Sequence, residues 1–368
     1  MNMNIFFGIP FFLFGIVFLV LDNNVIASNL ITTSGNLTLD FYNIPLANAQ
    51  EQKEEDDISI NNNNTKINES DKYVILIFDR GYKSAYTDAK PILDRYGFKA
   101  SIFVACERIE SSKGMSWDQL RQLQNEGHDI QSHGLKHERL TEIQSDNKRE
   151  RIISGGQECL QEQGFNPTIF QAPFNKGGDD PQILDTINKY FDLAFTGHSE
   201  LMFLNCDGWE NFGYDRENYD GTTDCSPYFS DGTPTPTNKL GMKEWSHDRE
   251  HHDINDEMED YDPHGKEVSS ILFEKFAEVV NSQTEFNKQG EINAIPIIGY
   301  HEISTDDEID TSPDLFELEM EYLYDNGFKV ITLDDLRYNE NQERFYIKNG
   351  DNIGGVVLSQ FDNKAQKR

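Results

Sequence analysis

The chain has 368 residues, of which 65 are acidic and 32 are basic, so its formal net charge at pH 7 is −33. This negative charge repels nucleic acid and anionic membranes and argues against both as partners. The length suits two average domains or one large α/β domain with an insertion, and either can bury a substantial core.

An uninterrupted apolar run from Ile5 to Leu21 opens the sequence and is followed by the small-residue pattern VIA, which ends at Ala27. This arrangement is typical of a secretory signal peptide, although no Lys or Arg precedes the run. The run is also close to the shortest that spans a bilayer, so a retained membrane anchor is the second interpretation of residues 1–27. Both predict an extracellular or cell-surface protein that meets a membrane only through this anchor.

Residues 28–72 are expected to form a disordered polar linker, because 50–72 are highly charged and contain no aromatic residue. In an exported protein the four cysteines allow three pairings. We prefer Cys206 with Cys225, since that bond closes a short loop in a segment with weak structural signals.

Strand and helix patterns alternate from Tyr73 onward. Predicted strands cover 73–78, 99–105, 128–133 and 168–172, and predicted helices cover 86–96, 116–126 and 146–163. A glycine follows each helix, as C-terminal caps do: Gly97, Gly127 and Gly164. This alternation predicts a parallel sheet or barrel.

A second block of elements begins near Gly265. It comprises helices at 267–283 and 313–326 and strands at 294–303 and 329–333. The stretch 198–264 between the blocks is too long for an ordinary loop. We interpret it as an acidic insertion in a single domain of residues 73–340, followed by a C-terminal tail over 341–368.

Reactive side chains follow several of the predicted strands. Asp79 comes after the first strand, His133 and His137 after the third, and His301 after a later one. In parallel α/β folds active sites collect at the carboxyl ends of the strands. Two histidines four apart can hold a divalent metal, and a third that titrates near neutral pH can protonate a leaving group. Solvated or core histidines are the alternative interpretation.

These segments resemble the polysaccharide deacetylase family, in its NodB-homology or carbohydrate esterase 4 form. The family motif TFDDG is similar to IFDRG, and H-[ST]-x-x-H is matched in spacing by HGLKH. The motif R-x-P-[YF] corresponds to QAPF, and a late histidine motif corresponds to GYH. The resemblance extends over about 73–198 and 265–338.

The resemblance implies a distorted (β/α) barrel of the NodB-homology type and a hydrolase that removes N-acetyl or O-acetyl groups from a polysaccharide or oligosaccharide. It makes Asp79 the base, His301 the acid, and His133 and His137 ligands of a divalent metal, zinc foremost. Phe174 would offer its N–H to the tetrahedral intermediate. A Lewis-acidic metal lowers the pKa of water and polarises a carbonyl, while the acid and base move protons.

Two positions depart from the family pattern. Arg80 stands where the family has a carboxylate ligand, and Gln171 where it has an arginine that orients the catalytic aspartate. Arg80 cannot bind a metal, but it could pair with Asp79 and lower its pKa, which would weaken the base. Three outcomes stay open: a metal held by a replacement ligand, Arg80 as the polarising cation, or a non-catalytic glycan-binding module. A hydrolase of small amides is a further alternative.

A histidine-rich stretch, WSHDREHHD, lies at 245–253 within the predicted insertion. His247, His251 or His252 could supply the replacement ligand. Charge-rich runs usually face water, so we expect a solvated excursion. Trp209 and Trp245 could stack on sugar rings or pack a small core.

Overall fold

The computed structural model divides the chain into two units, Met1–Thr65 and Lys66–Arg368. It describes the backbone of residues 16–21, 24–33 and 36–44, and it describes residues 72–205, 237–251, 254, 261–287 and 290–348.

The first unit contains an antiparallel three-stranded sheet. Its strands are β1 Ile16–Leu21, β2 Asn24–Thr33 and β3 Asn36–Ile44. The rest of the predicted leader, and most of the predicted linker, lie outside the described residues, so the signal peptide, the anchor and the linker stay predictions. Among the helices of the described residues, none is long and apolar enough to cross a membrane.

The second unit alternates strands and helices. Its strands are β4 Tyr73–Phe78, β5 Ser101–Val104, β6 Asp129–Ser132, β7 Ile169–Gln171, β8 Leu193–His198, β9 Met202–Phe203, β10 Met242–Ser246, β11 Ala294–Ile295, β12 Ile297–Tyr300, β13 Lys329–Ile331, β14 Leu336–Asn339 and β15 Arg344–Ile347. Its α-helices are α1 Lys90–Tyr96, α2 Trp117–Asn125, α3 Asp146–Glu162, α4 Pro181–Ile187, α5 Lys266–Ser282 and α6 Pro313–Asp325.

The strands form a closed parallel barrel, which confirms the predicted fold class. Seven strands follow one another in the order β4, β5, β6, β7, β8, β10 and β12, and β12 then pairs with β4 to close the ring. β13 pairs in parallel with the first residues of β4. The glycines predicted to follow α1, α2 and α3 all have positive φ, as helix-ending residues commonly do.

Side chains along β4 alternate between the barrel interior and the surrounding helices, and this alternation determines the direction of Asp79, the residue that follows the strand. Tyr73, Ile75 and Ile77 belong to an apolar cluster built mainly from barrel strands, whereas Val74, Leu76 and Phe78 pack in a second cluster with residues of the surrounding helices. Both faces of β4 are therefore covered, which explains its continuous apolar sequence. By the same alternation, Asp79 continues the series that faces the barrel interior.

The predicted insertion 198–264 contains a barrel strand. β10 pairs with β8 through Met242 and Phe195, and with β12 through Trp245 and Ile298. The sequence MKEWS conceals this strand because two of its five residues are charged. Residues 206–236, including Trp209, lie outside the described part of the chain.

A disulfide joins Cys106, just after β5, to Cys159 in α3. Cys206 and Cys225 fall outside the described residues, so their pairing stays a prediction. At the other end of the domain, β14 and β15 form an antiparallel hairpin. The first residues of the predicted tail 341–368 therefore belong to the fold, while 349–368 lie outside the described residues.

Candidate active site

Asp79 directly follows β4 and is 5% exposed. Its backbone N–H donates to the Tyr300 carbonyl at the end of the neighbouring β12, and its Oδ1 has no hydrogen-bond partner among the described residues. Burial raises the pKa of Asp79 above 3.8 and outweighs the lowering by His301, Gln171 and Arg80. The predicted lowering by Arg80 is therefore present, but the net direction is the opposite, and Asp79 is a stronger base than a solvated aspartate.

His301 stands beside Asp79 because β12 and β4 are adjacent in the barrel. Its Nε2 lies 3.7 Å from Asp79 Oδ2, while its Nδ1 lies 2.9 Å from Asp248 Oδ2. The backbone N–H of His301 donates to the same Asp248 oxygen at 2.7 Å. Burial lowers the pKa of His301, but the hydrogen bond to Asp248 and the charges of Asp79 and Asp248 outweigh burial and leave the pKa raised. The predicted acid and base thus meet at one point of the rim.

Behind His301 the polar contacts continue into the core. The Thr311 hydroxyl donates to Asp248 Oδ1 at 2.7 Å. His247 Nε2 lies 2.7 Å from Glu319 Oε1, and the Tyr300 hydroxyl donates to Glu319 Oε2 at 2.8 Å. Carboxylates therefore alternate with imidazoles from the rim to helix α6.

His247 is a buried cation in this network. Burial lowers its pKa, but the Glu319 charge and the hydrogen bonds to Asp248 and Glu319 raise it to about 10. The expected solvated excursion at 245–253 is therefore wrong for Trp245, His247, Asp248 and His251, which are buried, although Arg249 is exposed. His247 and Asp248 can be buried because their partners are Glu319 of α6 and His301 and Thr311 at either end of the loop before it.

His133 and His137 lie together on another part of the rim, with ring centroids 4.9 Å apart. His133 is 1% exposed, and neither of its ring nitrogens has a hydrogen-bond partner in the described part of the chain. Burial and the Arg80 charge lower the pKa of His137 to about 3, and burial also lowers the pKa of His133 well below 6.5. Both imidazoles are consequently neutral at pH 7.

Arg80 carries the positive charge at this rim. It has a left-handed backbone, with φ of 64°, and its Nη1 donates to the Tyr82 hydroxyl at 3.3 Å. Its buried Nε lacks a hydrogen-bond partner among the described residues. The Arg80 charge lowers the pKa of Asp79 and of all three rim histidines, His133, His137 and His301.

The described residues do not fit a catalytic zinc site. Such sites usually have three protein ligands and an open position. The part of the chain that the structure describes contains no cluster of three or more His, Cys, Asp or Glu suited to a metal, and the Arg80 charge acts on both predicted ligands. Of the predicted replacements, His247 pairs with Glu319, His251 contacts the Tyr261 hydroxyl at 2.9 Å, and His252 lies outside the described residues.

Gln171 joins the site to Glu244 of β10, a residue that sequence reasoning missed. The Gln171 amide donates to Glu244 Oε2 at 3.0 Å, and the Asn175 amide donates to Oε1. Glu244 is 1% exposed, and burial, with the nearby Asp79 charge, raises its pKa well above 4.5. Its carboxyl group connects the strand of Gln171 to the turn that carries Phe174.

Phe174 and Asn175 are consecutive residues with positive φ, 63° and 48°. The Phe174 ring centroid lies 4.5 Å from that of His137, and the Arg139 guanidinium lies 3.9 Å from the Phe174 centroid. A cavity of about 600 Å³ opens here and is lined by His137, Arg139, Lys148 and Phe174 among others. The role of the Phe174 N–H as an oxyanion donor stays a prediction.

Of the other residues that were missed, Asp248 has the clearest function, because it contacts His301. It lies two residues after the Ser246 end of β10, and Asp79 lies one residue after β4, so both carboxylates closely follow a barrel strand. That signal becomes visible only once MKEWS is assigned to a strand.

Comparison with known proteins gives consistent matches. Residues 66–190 match the family model described as polysaccharide deacetylase. A putative polysaccharide deacetylase of Bacillus subtilis, YxkH, is 37% identical over 68 residues, which are 18% of this chain and 24% of the relative. The chain thus spans about a quarter of the curated relative it matches.

Two solved structures illustrate the likeness. The Streptococcus pyogenes deacetylase PplD, in complex with acetate, is 23% identical over 34% of this chain and 57% of its own, with a TM-score of 0.32. The chitin deacetylase of Colletotrichum lindemuthianum is 14% identical over 71% of this chain and 85% of its own, with a TM-score of 0.43. The family match contains Asp79, His133 and His137, whereas Asp248 and His301 lie beyond it.

Proposed function

We propose, since residues 66–190 match the polysaccharide deacetylase family model, that this chain is a hydrolase that removes N-acetyl or O-acetyl groups from carbohydrate. One observation carries the proposal. Asp79 and His301 are 222 positions apart in the sequence. Their strands β4 and β12 are adjacent in the barrel, so Asp79 Oδ2 and His301 Nε2 lie 3.7 Å apart just after the strand ends. The first is an acid group that can accept a proton and the second an imidazole whose raised pKa favours the proton-donating form, which is the pair that hydrolysis requires.

In the proposed reaction Asp79 accepts a proton from water as the water oxygen attacks the acetyl carbonyl carbon. The carbonyl oxygen becomes an oxyanion, to which the Phe174 N–H donates. His301 Nε2–H then protonates the leaving nitrogen or oxygen, the bond from the acetyl carbon to that atom breaks, and acetic acid and the free amine or hydroxyl group depart. The acid releases its remaining proton to solvent and becomes acetate. Transfer of the proton from Asp79 to His301 restores both groups.

Asp248 prepares the acid for this step. It accepts from both Nδ1 and the backbone N–H of His301, so the ring is oriented with Nε2 toward Asp79. A carboxylate in this place also favours the imidazolium form.

The proposed substrate is an acetylated polysaccharide or oligosaccharide. The family match supports this class. The cavity beside His137 provides room for sugar residues, and its arginine, lysine and phenylalanine side chains can donate to hydroxyl groups or stack on a ring. We also propose an extracellular or cell-surface location, for which the support is the apolar run from Ile5 to Leu21. Protease accessibility of the protein on intact cells tests the location.

The test of activity is acetate release by the full chain from acetylated chitooligosaccharide and acetylated xylan. We expect Asp79→Asn to lower kcat/KM by about 10²–10⁴-fold, the usual contribution of a general base. Asp118→Asn is the matched control, because the Asp118 side chain is 95% exposed. Binding of these glycans without acetate release by the wild type would replace this proposal with that of a non-catalytic glycan-binding module.

A further inference from the structure

We propose that Arg80, His133 and His137 together bind a small oxyanion such as acetate, and that the Arg80 guanidinium takes the place of a divalent cation. The three side chains come from the loops after β4 and β6. This inference rests on the proposed function in one respect: the oxyanion is the product of deacetylation and resembles its tetrahedral intermediate.

The first support is the state of the histidines. Both ring nitrogens of His133 are buried without a hydrogen-bond partner in the described residues, although buried polar atoms are normally paired. A neutral imidazole offers one N–H donor. An oxyanion beside His133 would satisfy this donor.

The second support is Arg80 itself. A non-glycine residue in the left-handed region is strained and persists where the surrounding structure imposes it, often at a ligand site. Its buried Nε lacks a partner within the described residues, and its Nη1 is anchored by Tyr82. A guanidinium with free N–H groups is well suited to bind a carboxylate.

The third support is electrostatic. Arg80 is permanently protonated, and its charge acts on both imidazoles. A dication between His133 and His137 would be repelled by this charge, whereas an anion would be attracted by it. With Arg80 in this position, His133 and His137 therefore favour binding of an anion over binding of a divalent metal.

In catalysis this cluster stabilises the charge that forms on the acetyl oxygen. Attack of water places a negative charge on that oxygen, and the guanidinium and imidazole N–H groups lie ready to bind it. When the bond to the leaving group breaks, the carbonyl group re-forms, and loss of the carboxyl proton to solvent then gives acetate, which the same groups can bind. No further reactant is consumed.

Calorimetric titration of the full-length wild type with zinc alone and with sodium acetate alone tests the inference. We expect acetate to bind and zinc not to bind at His133. In Arg80→Asp the preference should be exchanged: about one zinc per chain is gained and acetate affinity falls at least tenfold. His133→Ala in the Arg80→Asp background should abolish the gained zinc.

The charge change needs its own control, because the chain already carries a net charge of −33. Arg95→Asp makes the same change at a half-exposed side chain that pairs with Glu317. It should gain no zinc that depends on His133. Arg80→Lys keeps the charge, and it should retain acetate binding and still exclude zinc from His133.

Zinc bound by the wild type and lost in His133→Ala would overturn the inference, and this result does not depend on the folding of any Arg80 variant. Acetate affinity that is equal in the wild type and Arg80→Asp would also overturn it. Both readouts measure binding, so an inactive wild type that binds acetate would contradict only the proposed function. An active enzyme with zinc at His133 would contradict only this inference.

Discussion

Two pairs of histidines at the same end of the barrel have pKa values that are shifted in opposite directions. His301 and His247 have raised pKa values, and that of His247 is about 10. His133 and His137 have lowered pKa values, and that of His137 is about 3. Burial does not explain the difference, because His247 is 0% exposed and His133 is 1% exposed.

The partners explain it. Asp79, Asp248 and Glu319 surround the first pair and favour the charged imidazoles, whereas Arg80 faces the second pair and opposes a second positive charge. One side of the site can therefore donate protons, and the other can offer neutral hydrogen bonds to an anion. The residue type alone determines neither function.

The largest effect should come from breaking the charged pair His247 and Glu319, which lie 2.7 Å apart. We expect His247→Asn to lower the free energy of unfolding by about 3–5 kcal/mol, because Glu319 would remain as an uncompensated buried charge. Urea unfolding measures the loss. The double variant His247→Asn/Glu319→Gln removes both charges and should recover most of it. A double variant as unstable as the single would show that packing, not charge, holds this pair.

The stability that the His247–Glu319 pair contributes should fall as the pH rises. Since the pKa of His247 is raised in the folded chain from 6.5 to about 10, its stabilising contribution is complete below pH 6.5. It is lost progressively as the pH rises through about 10. The gap in stability between wild type and His247→Asn should close over this window, and a constant gap would contradict the charged state of His247.

Much of this architecture follows from sequence pattern, because buried parallel strands and amphipathic helices leave clear signals. The apolar run before Asp79 predicts β4. His133 and His137 do lie together, but the segment between them forms a bend with Gly134 at positive φ rather than the helical turn that an i, i+4 spacing implies. β10 was not predicted as a strand, because Lys243 and Glu244 interrupt its apolar sequence. The sequence shows their charge but does not show that partners on β7 and in the Phe174 turn make burial of Glu244 possible.

Protonation was the least predictable property. Because Arg80 directly follows Asp79 in the sequence, we expect a lower pKa for Asp79, but burial raises that pKa by more than Arg80 lowers it. The position of His247 four residues before His251 is compatible with a solvated residue and with a metal ligand. Its actual partner, Glu319, is 72 positions away, so only the fold reveals the ion pair.

Removing the partner of the acid should have the next largest effect. We expect Asp248→Asn to lower kcat/KM about 100-fold, or about 2.7 kcal/mol, because His301 loses the carboxylate that raises its pKa. The alkaline limb of the pH profile should move to lower pH. Thr311→Val removes a hydrogen bond to the other oxygen of Asp248 and should leave that limb near its wild-type position. An unmoved limb in Asp248→Asn would mean that another group sets the pKa of His301.

Glu244 extends the comparison to carboxyl groups, since its pKa is raised while that of Asp248 is lowered. A neutral Glu244 should tolerate Glu244→Gln with little change in stability. Glu244→Leu instead leaves the amides of Gln171 and Asn175 without their acceptor, and we expect a loss of about 1–3 kcal/mol in urea unfolding. Equal losses in the two variants would indicate that Glu244 is ionised in the folded chain.

The smallest effect separates the strain at Arg80 from its charge. Arg80→Ala and Arg80→Gly both remove the guanidinium, but only glycine adopts a φ of 64° without a steric penalty. We expect the glycine variant to be about 1 kcal/mol more stable than the alanine variant, measured by urea unfolding. Both should lose acetate affinity to the same extent. If they do, acetate binding depends on the guanidinium and not on the strained backbone itself. A glycine variant no more stable than the alanine variant would show that the backbone at this position relaxes when the guanidinium is absent.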